Sequence, residues 1–103
     1  MNKKIVRADI AAYLFDTFSE RIGKEDSLRI VDCVINKMKN ELMAGNTIEL
    51  RGFGSFLTKK RAGRHNARNP KTGELLEVQP HYAVTFKPGA ELKKAIREIK
   101  IDV

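Results

Sequence analysis

The chain has 103 residues, of which 42% are hydrophobic and 32% charged, and its formal net charge is +7. This length and composition predict one folded domain over residues 1–103 and exclude a disordered chain. The single cysteine, Cys33, excludes an internal disulfide and favours a reducing compartment. Because no long apolar run follows the basic N-terminus, we expect no signal peptide, no membrane span and a cytoplasmic location.

Two amphipathic helices are predicted in the first half of the chain. Ile10, Leu14 and Phe18 recur every four positions and form one apolar face. Between Gly23 and Gly45 the apolar residues recur at spacings of three and four: Leu28, Val31, Ile35, Met38 and Leu42. A helix this apolar has to bury more than one side, and a domain this small is marginal alone. We therefore expect a second chain to cover part of the helix.

Short strands and a third helix are predicted after Gly45. Residues 47–50 alternate, and the two glycines around Phe53 are typical of a tight turn or bulge with close backbone contact. An outgoing strand is predicted for residues 56–61 and a returning limb for residues 75–86. Beyond Pro88, one helical face is apolar and consists of Leu92, Ala95, Ile96 and Ile99.

The positive charge is concentrated in residues 59–71. This segment contains six Lys or Arg and no acidic residue, whereas the remaining 90 residues contain 14 basic and 13 acidic residues. A turn around Pro70 makes the segment part of a long hairpin. We expect an arm over about residues 59–77, with limbs that reach roughly 30 Å from the body. Because an isolated ribbon is marginal in water, its outer half is predicted to be mobile without a ligand.

A basic β-ribbon fits a groove of duplex DNA. Four side chains are candidates for neutralising phosphates: Arg61, Arg64, Arg68 and Lys71. Beside Arg68, Asn69 could enter the minor groove, and Pro70 is a rigid apolar wedge that could unstack one base step and kink the duplex. The alternative is a solvated basic surface loop with an ordinary turn proline.

Three motifs together resemble the signature of bacterial HU/IHF-type DNA-binding proteins. They are Gly52-Phe53-Gly54-Ser55-Phe56, Arg68-Asn69-Pro70-Lys71-Thr72-Gly73-Glu74 and Phe86-Lys87-Pro88-Gly89. The resemblance covers nearly the whole chain and implies an α+β fold with two N-terminal helices, an antiparallel sheet with a long protruding basic β-hairpin arm, and a C-terminal helix. It also implies an intertwined dimer whose arms enter the minor groove of DNA and intercalate a proline at each tip.

The resemblance assigns roles to particular residues. Pro70 is the intercalating wedge, Arg68 and Asn69 are its minor-groove companions, and Phe53 and Phe56 lie in the dimer core. From the apolar stripe of the second helix, we expect further dimer-core residues at Val31, Ile35, Met38 and Leu42. Other candidate DNA contacts are Lys3, Lys4, Lys59 and Lys60, with Lys93, Lys94, Arg97 and Lys100 near the C-terminus.

Two departures affect the arm. Ala67 stands where the usual arm of the family has glycine, and the segment 52–70 is one residue longer than the commonest form. They leave open the register of the arm and which residues between Lys59 and Arg64 face DNA. Gly63 is a candidate for the flexible point.

Catalysis has little support in the sequence. His65, His81 and Cys33 lack the spacing of metal ligands, and no phosphate-binding glycine loop or catalytic pair is recognisable. We therefore expect no enzyme activity, no metal, no cofactor and no small-molecule substrate.

The sequence predicts a dimeric architectural protein that bends and compacts duplex DNA, largely without sequence specificity, in the nucleoid. One alternative is a sequence-specific bending factor of the IHF type, either by itself or as one subunit of a heterodimer with a paralogue. Another is a protein that binds RNA or polyanions in general, which two tyrosines and no tryptophan disfavour as a base-stacking platform.

Overall fold

The computed structural model describes residues 3–101, except for the side chains of residues 65–67. In this range the elements follow one another along the chain as α1 (Arg7–Phe18), α2 (Lys24–Met43), β1 (Ile48–Leu50), β2 (Gly54–Arg61), β3 (Arg64–Arg68), β4 (Leu75–Val78), β5 (His81–Pro88) and α3 (Ala90–Arg97). The chain divides into two compact units, residues 1–40 and residues 41–103.

The first unit contains α1 and most of α2. At the start of α1, the Asp9 carboxylate accepts a hydrogen bond of 2.8 Å from the Val6 N–H, a favourable place for a negative charge. Arg7 and Asp32 form an ion pair of 2.5 Å between the two helices. Ala11 and Val31 are buried, but Ile35 on the predicted stripe is 36% exposed. One chain therefore leaves part of this apolar stripe uncovered.

The second unit is built on an antiparallel sheet in the order β1-β2-β5. Phe56 lies at its centre, opposite Ile48 on one side and Phe86 on the other. The hydroxyl of Thr58 donates a hydrogen bond of 3.0 Å to the Leu42 carbonyl, which ties the last turn of α2 to β2. Strands β3 and β4 form a separate two-stranded ribbon, which we call the outer ribbon.

Three phenylalanines form the aromatic cluster of this unit. The ring of Phe86 lies 4.8 Å from that of Phe56 and 5.2 Å from that of Phe53, measured between centroids. These tilted ring pairs stabilise the unit beyond the effect of the area that the rings bury. Gly54 permits the packing because a Cβ there would lie 2.8 Å from the Phe86 ring and 2.5 Å from the Lys87 carbonyl oxygen. The expected close backbone contact in the glycine-aromatic motif is thus present.

Two predicted elements differ in their bounds. The returning limb is not one strand over 75–86, because β4 ends at Val78 and β5 begins at His81. Pro80 lies in the gap and has no N–H to donate to a ladder. The third helix ends at Arg97, so Ile99 lies beyond it.

The predicted α+β fold is confirmed, with two helices before the antiparallel sheet and one after it. The structure describes one chain, so the dimer and its core residues stay predictions. Among those residues, Val31 is buried, Phe56, Met38 and Leu42 are half-buried, and Phe53 and Ile35 are exposed. Phe53 and Phe56 lie together in the aromatic cluster.

Candidate nucleic-acid interface

The basic residues of β2 divide between the two faces of the sheet. Directly opposite residues of antiparallel strands share a face, and the faces alternate along each strand. Lys59 and Arg61, opposite Ala83 and His81, therefore share one face, whereas Lys60, opposite Tyr82, is on the other. Lys60 therefore lies on the opposite face from Lys59 and Arg61.

Lys87 joins Lys59 and Arg61 on their face, because it lies opposite Ser55 in the same register. A side-chain hydrogen bond, which Lys87 can donate only to the neutral amine of Lys59, and then the like charge of Lys87, lower the pKa of Lys59. Arg61 Nη2 donates a hydrogen bond of 3.1 Å to the Thr85 hydroxyl on this face. We call Lys59, Arg61 and Lys87 the cationic face of the sheet. Three cations whose charges repel one another are a natural contact for phosphates.

Sequence reasoning did not select Lys87 as a DNA contact. The signal was present, because an odd-numbered position on β5 faces the same way as Lys59 and Arg61. It could be used only once the pairing of β2 with β5 was known, since a shift of one residue would move Lys87 to the opposite face.

Strand β3 contains a bulge between Arg64 and Ala67. Arg64 lies opposite Val78 and Ala67 opposite Leu76, so three steps on one strand match two on the other. Arg68 lies opposite Leu75. Val78 and Leu75 are three residues apart on the regular strand, which places Arg64 and Arg68 on opposite faces of the outer ribbon. The register that the sequence left open is therefore settled on both sides of the bulge.

The turn at the end of the arm is closed by its own hydrogen bonds, and we call residues 69–74 the arm tip. The Asn69 N–H donates to the Glu74 carbonyl at 2.8 Å, and the Gly73 N–H donates to the Asn69 carbonyl at 2.7 Å. Gly73 adopts φ 73°, a conformation that favours glycine. The Asn69 side-chain oxygen accepts a hydrogen bond of 2.9 Å from the Lys71 N–H, a common asparagine turn. Pro70 is exposed on this turn.

Arg68 lies at the base of the arm tip, two residues before Pro70 in the sequence. Its Nη1 donates a hydrogen bond of 3.3 Å to the Gly73 carbonyl, and the side chain is exposed. Asn69 is predicted to read the minor groove. Its side-chain oxygen accepts a hydrogen bond within the turn, so Asn69 also shapes the arm tip. Lys71 is exposed on the far side of Pro70 in sequence. The tip thus presents a rigid apolar ring between two cations.

The remaining candidates lie outside the arm. Lys3 and Lys4 are exposed and precede α1 in the first unit. Lys93, Lys94 and Arg97 are exposed on α3, and Lys100 lies beyond the end of that helix. Their exposure is compatible with phosphate contacts and equally with a solvated charged surface.

No cluster of three His, Cys, Asp or Glu that could hold a metal ion is found among the described residues. The side chain of His65, one of the histidines considered in the sequence, lies outside the described residues. Within the described part of the chain, no helix combines the length and apolar character needed to cross a membrane.

The chain is similar to known bacterial DNA-binding proteins over almost its whole length. The family model described as "Bacterial DNA-binding protein" matches residues 1–97. The chain is similar to integration host factor subunit alpha of Haemophilus influenzae, with 33% identity over 96 residues, covering 93% of this chain and 97% of the relative. Integration host factor subunit alpha of Vibrio atlanticus is 35% identical over 98 residues, covering 95% and 97% of the two chains.

Two solved structures share the fold. An Anabaena HU–DNA cocrystal structure matches with a TM-score of 0.76 and 20% identity, covering 92% of this chain and all of that one. The solution structure of a mutant of transcription factor 1 matches with a TM-score of 0.60 and 21% identity, covering 92% and 93% of the two chains.

Proposed function

The chain belongs to the HU/IHF family of bacterial DNA-binding proteins, an architectural and non-enzymatic family, and on this premise we propose that it bends duplex DNA with little sequence preference. In the proposed complex the arm follows the minor groove and Pro70 enters between two base pairs. The cationic face of the sheet meets the phosphates of the flanking DNA. The protein would act in the cytoplasm, on the nucleoid.

The observation that carries the proposal is the geometry of the arm tip. Pro70 is exposed on a turn already closed by backbone hydrogen bonds of 2.7 and 2.8 Å, so little ordering is required at the tip when it meets DNA. Unstacking a base step costs a few kcal/mol, and contacts made by the bent duplex offset this cost. Arg68 and Lys71, on either side of Pro70, can supply such contacts to nearby phosphates.

Low sequence preference follows from the groove. The minor groove separates A·T from G·C pairs but does not distinguish A·T from T·A. In addition, the oxygen of Asn69 accepts a hydrogen bond from the Lys71 N–H, which leaves its amide nitrogen and one lone pair of that oxygen available to a base. Any preference should therefore reflect how easily a sequence is kinked, with flexible pyrimidine–purine steps favoured.

The test of this function is a Pro70→Ala variant. Its ability to bend a labelled duplex of about 40 base pairs, long enough to contact arm and body, should fall more than its affinity, because every cation is retained. Energy transfer between the duplex ends measures bending, and a titration at fixed salt measures affinity. An unchanged transfer efficiency at saturation would refute the role of Pro70 as the wedge.

A second candidate function is sequence-specific bending as one subunit of a heterodimer. It is favoured by the relatives, which are named as alpha subunits of integration host factor. Competition between random DNA and DNA selected for tight binding separates the two candidates. A specific factor should prefer the selected sequence by a factor on the order of 10³ or more, whereas the proposed general function predicts a small ratio.

Both candidate functions assume a dimer in which a second chain contributes to the hydrophobic core. In the described residues the buried apolar side chains are Ala11 and Val31, while Val34 is 55% and Val84 is 58% exposed. So small a buried set is insufficient for a stable domain of this size, and a shared core would cover the exposed side chains. Sedimentation at micromolar concentration should show a dimer, and a stable folded monomer would exclude the shared core.

A further inference from the structure

Both limbs of the arm are interrupted at the same level. The last pair of the three-stranded sheet is Arg61 with His81, and the first pair of the outer ribbon is Arg64 with Val78. Two residues on each limb lie between these pairs, so the break does not result from limbs of unequal length. We call these four residues, Ala62 and Gly63 with Gln79 and Pro80, the joint.

Gly63 fits the joint only because it has no side chain. A Cβ at this position would lie 2.4 Å from the Val78 carbonyl oxygen, 3.0 Å from Pro80 Cδ and 3.1 Å from Pro80 N. The glycines with positive φ are Gly45, Gly52, Gly54 and Gly73. Close approach of the opposite limb, and not an unusual φ, therefore requires glycine at Gly63. The neighbouring atoms belong to backbone or to a closed ring, which cannot move aside as a flexible side chain could.

On the other limb, Pro80 restricts the backbone conformation of the joint. It cannot donate a ladder hydrogen bond, so the sheet stops, and its ring fixes φ near −65°. An open notch of about 620 Å³ lies at the joint, and Arg61 and Arg64 are among its lining residues on either side of the break. The change from sheet to ribbon is therefore a packed contact flanked by two candidate phosphate ligands.

We propose that Gly63 and Pro80 are positioning residues that fix the angle at which the outer ribbon leaves the sheet, and thereby choose the base step that Pro70 enters. This inference rests on the proposed DNA-bending function. Pro70 is seven residues beyond Gly63, a lever of roughly 20 Å in a bulged strand. A rotation of about 20° would move the tip by about 7 Å, or two base-pair steps of about 3.4 Å.

A Gly63→Ala variant tests the angle directly, without DNA. Spin labels at Thr72→Cys in the arm tip and Glu49→Cys in β1 report the distance from arm to sheet. The exposed Cys33 is replaced by Ser, and labelled chains are diluted with unlabelled ones. The added methyl group cannot fit beside the Val78 carbonyl, so we expect a shifted distance distribution. Gly23→Ala is the matched control, because nothing lies within 4 Å of a Cβ at that position.

The same variants are then compared for bending of the end-labelled duplex at saturating protein. For Gly63→Ala we expect a loss of energy transfer with an affinity within about tenfold of wild type, since all phosphate-binding cations remain. A role in folding alone would instead lower the helix signal in circular dichroism and reduce affinity and bending together.

A Pro80→Ala variant keeps the proposal testable if Gly63→Ala does not fold. It restores an N–H and removes the ring from the joint, so the label distances should broaden. Unchanged label distances in both folded variants, or in Pro80→Ala alone when Gly63→Ala is unfolded, would overturn the fixed joint. Shifted distances with unchanged bending would overturn the positioning role. A wild-type protein that does not bend DNA would overturn the proposed function, while the label distances would still decide the joint.

Discussion

The three-stranded sheet and the outer ribbon are built from the same kind of antiparallel pairing but are held in different ways. One face of the sheet carries Phe56 and Phe86 with ring centroids 4.8 Å apart, and the other face carries the repelling cations. In the ribbon, Leu75 is 62% and Leu76 is 43% exposed, although they lie on opposite faces. The sheet is stabilised by packing on one face, whereas the ribbon depends on its ladder and on the hydrogen bonds of the tip.

This difference separates stability from binding. Substitutions in the aromatic cluster should change the free energy of unfolding, because they remove packing contacts between the rings. Substitutions in the ribbon should leave that free energy nearly unchanged and act on DNA binding, because little packs against either face. The two regions can therefore be probed independently.

The largest effect is expected for Phe56→Ala. The variant loses the ring contacts with Phe86 and Phe53, and its free energy of unfolding should fall by roughly 3 kcal/mol. Denaturant unfolding at one protein concentration measures this loss. The control is Leu76→Ala in the ribbon, for which we expect a change within about 0.5 kcal/mol. Equal losses in the two variants would show that the ribbon is packed as tightly as the sheet.

A smaller effect, on binding alone, is expected for Arg68→Ala. The variant should bind all DNA sequences more weakly, and the dependence of log affinity on log salt should become shallower by about one unit. Arg29→Ala removes the same charge from an exposed position in α2, outside the arm segment, and should leave the slope unchanged. A loss restricted to one DNA sequence would instead indicate that Arg68 reads a base.

The smallest effect is expected in the pH dependence of binding. The pKa of Lys59 is lowered from 10.5 by the hydrogen bond with Lys87 and then by its charge, and a bound phosphate favours the charged form. Affinity should therefore fall as pH rises through the lowered pKa, below 10.5. Lys59→Gln should lose this contribution, whereas Lys60→Gln, on the other face, should keep it. Titrations of DNA binding across the alkaline range distinguish the two variants.

The lowered pKa of Lys59 has opposite effects on DNA affinity and on the stability of the free protein as pH rises. Between the lowered pKa and 10.5, the unfolded chain binds more protons at Lys59 than the folded chain does. The stability of the free protein should therefore rise slightly with pH in that window, while its affinity for DNA falls. Lys59→Gln should remove both trends, which would identify Lys59 as the titrating group.

The turn at the arm tip follows from the local sequence, because the residues that form it are close together in the chain. Asn69, Pro70 and Gly73 predict a turn by their side chains and backbone preferences, and the structure has that turn with Gly73 at φ 73°. The bulge differs, because counting residues along the chain does not show where the ladder is irregular. Its place between Arg64 and Ala67 depends on pairing with β4.

The sequence by itself determined the order of the helices and of the hairpin limbs, the concentration of charge in residues 59–71 and the proline turn, since helical and strand periods and turn chemistry act over a few residues. Only the tertiary structure decided that Lys87 joins Lys59 while Lys60 faces away, and that Gly63 meets Pro80. These relations join positions far apart in the chain, and a register shift of one residue would reverse the facing of every side chain involved.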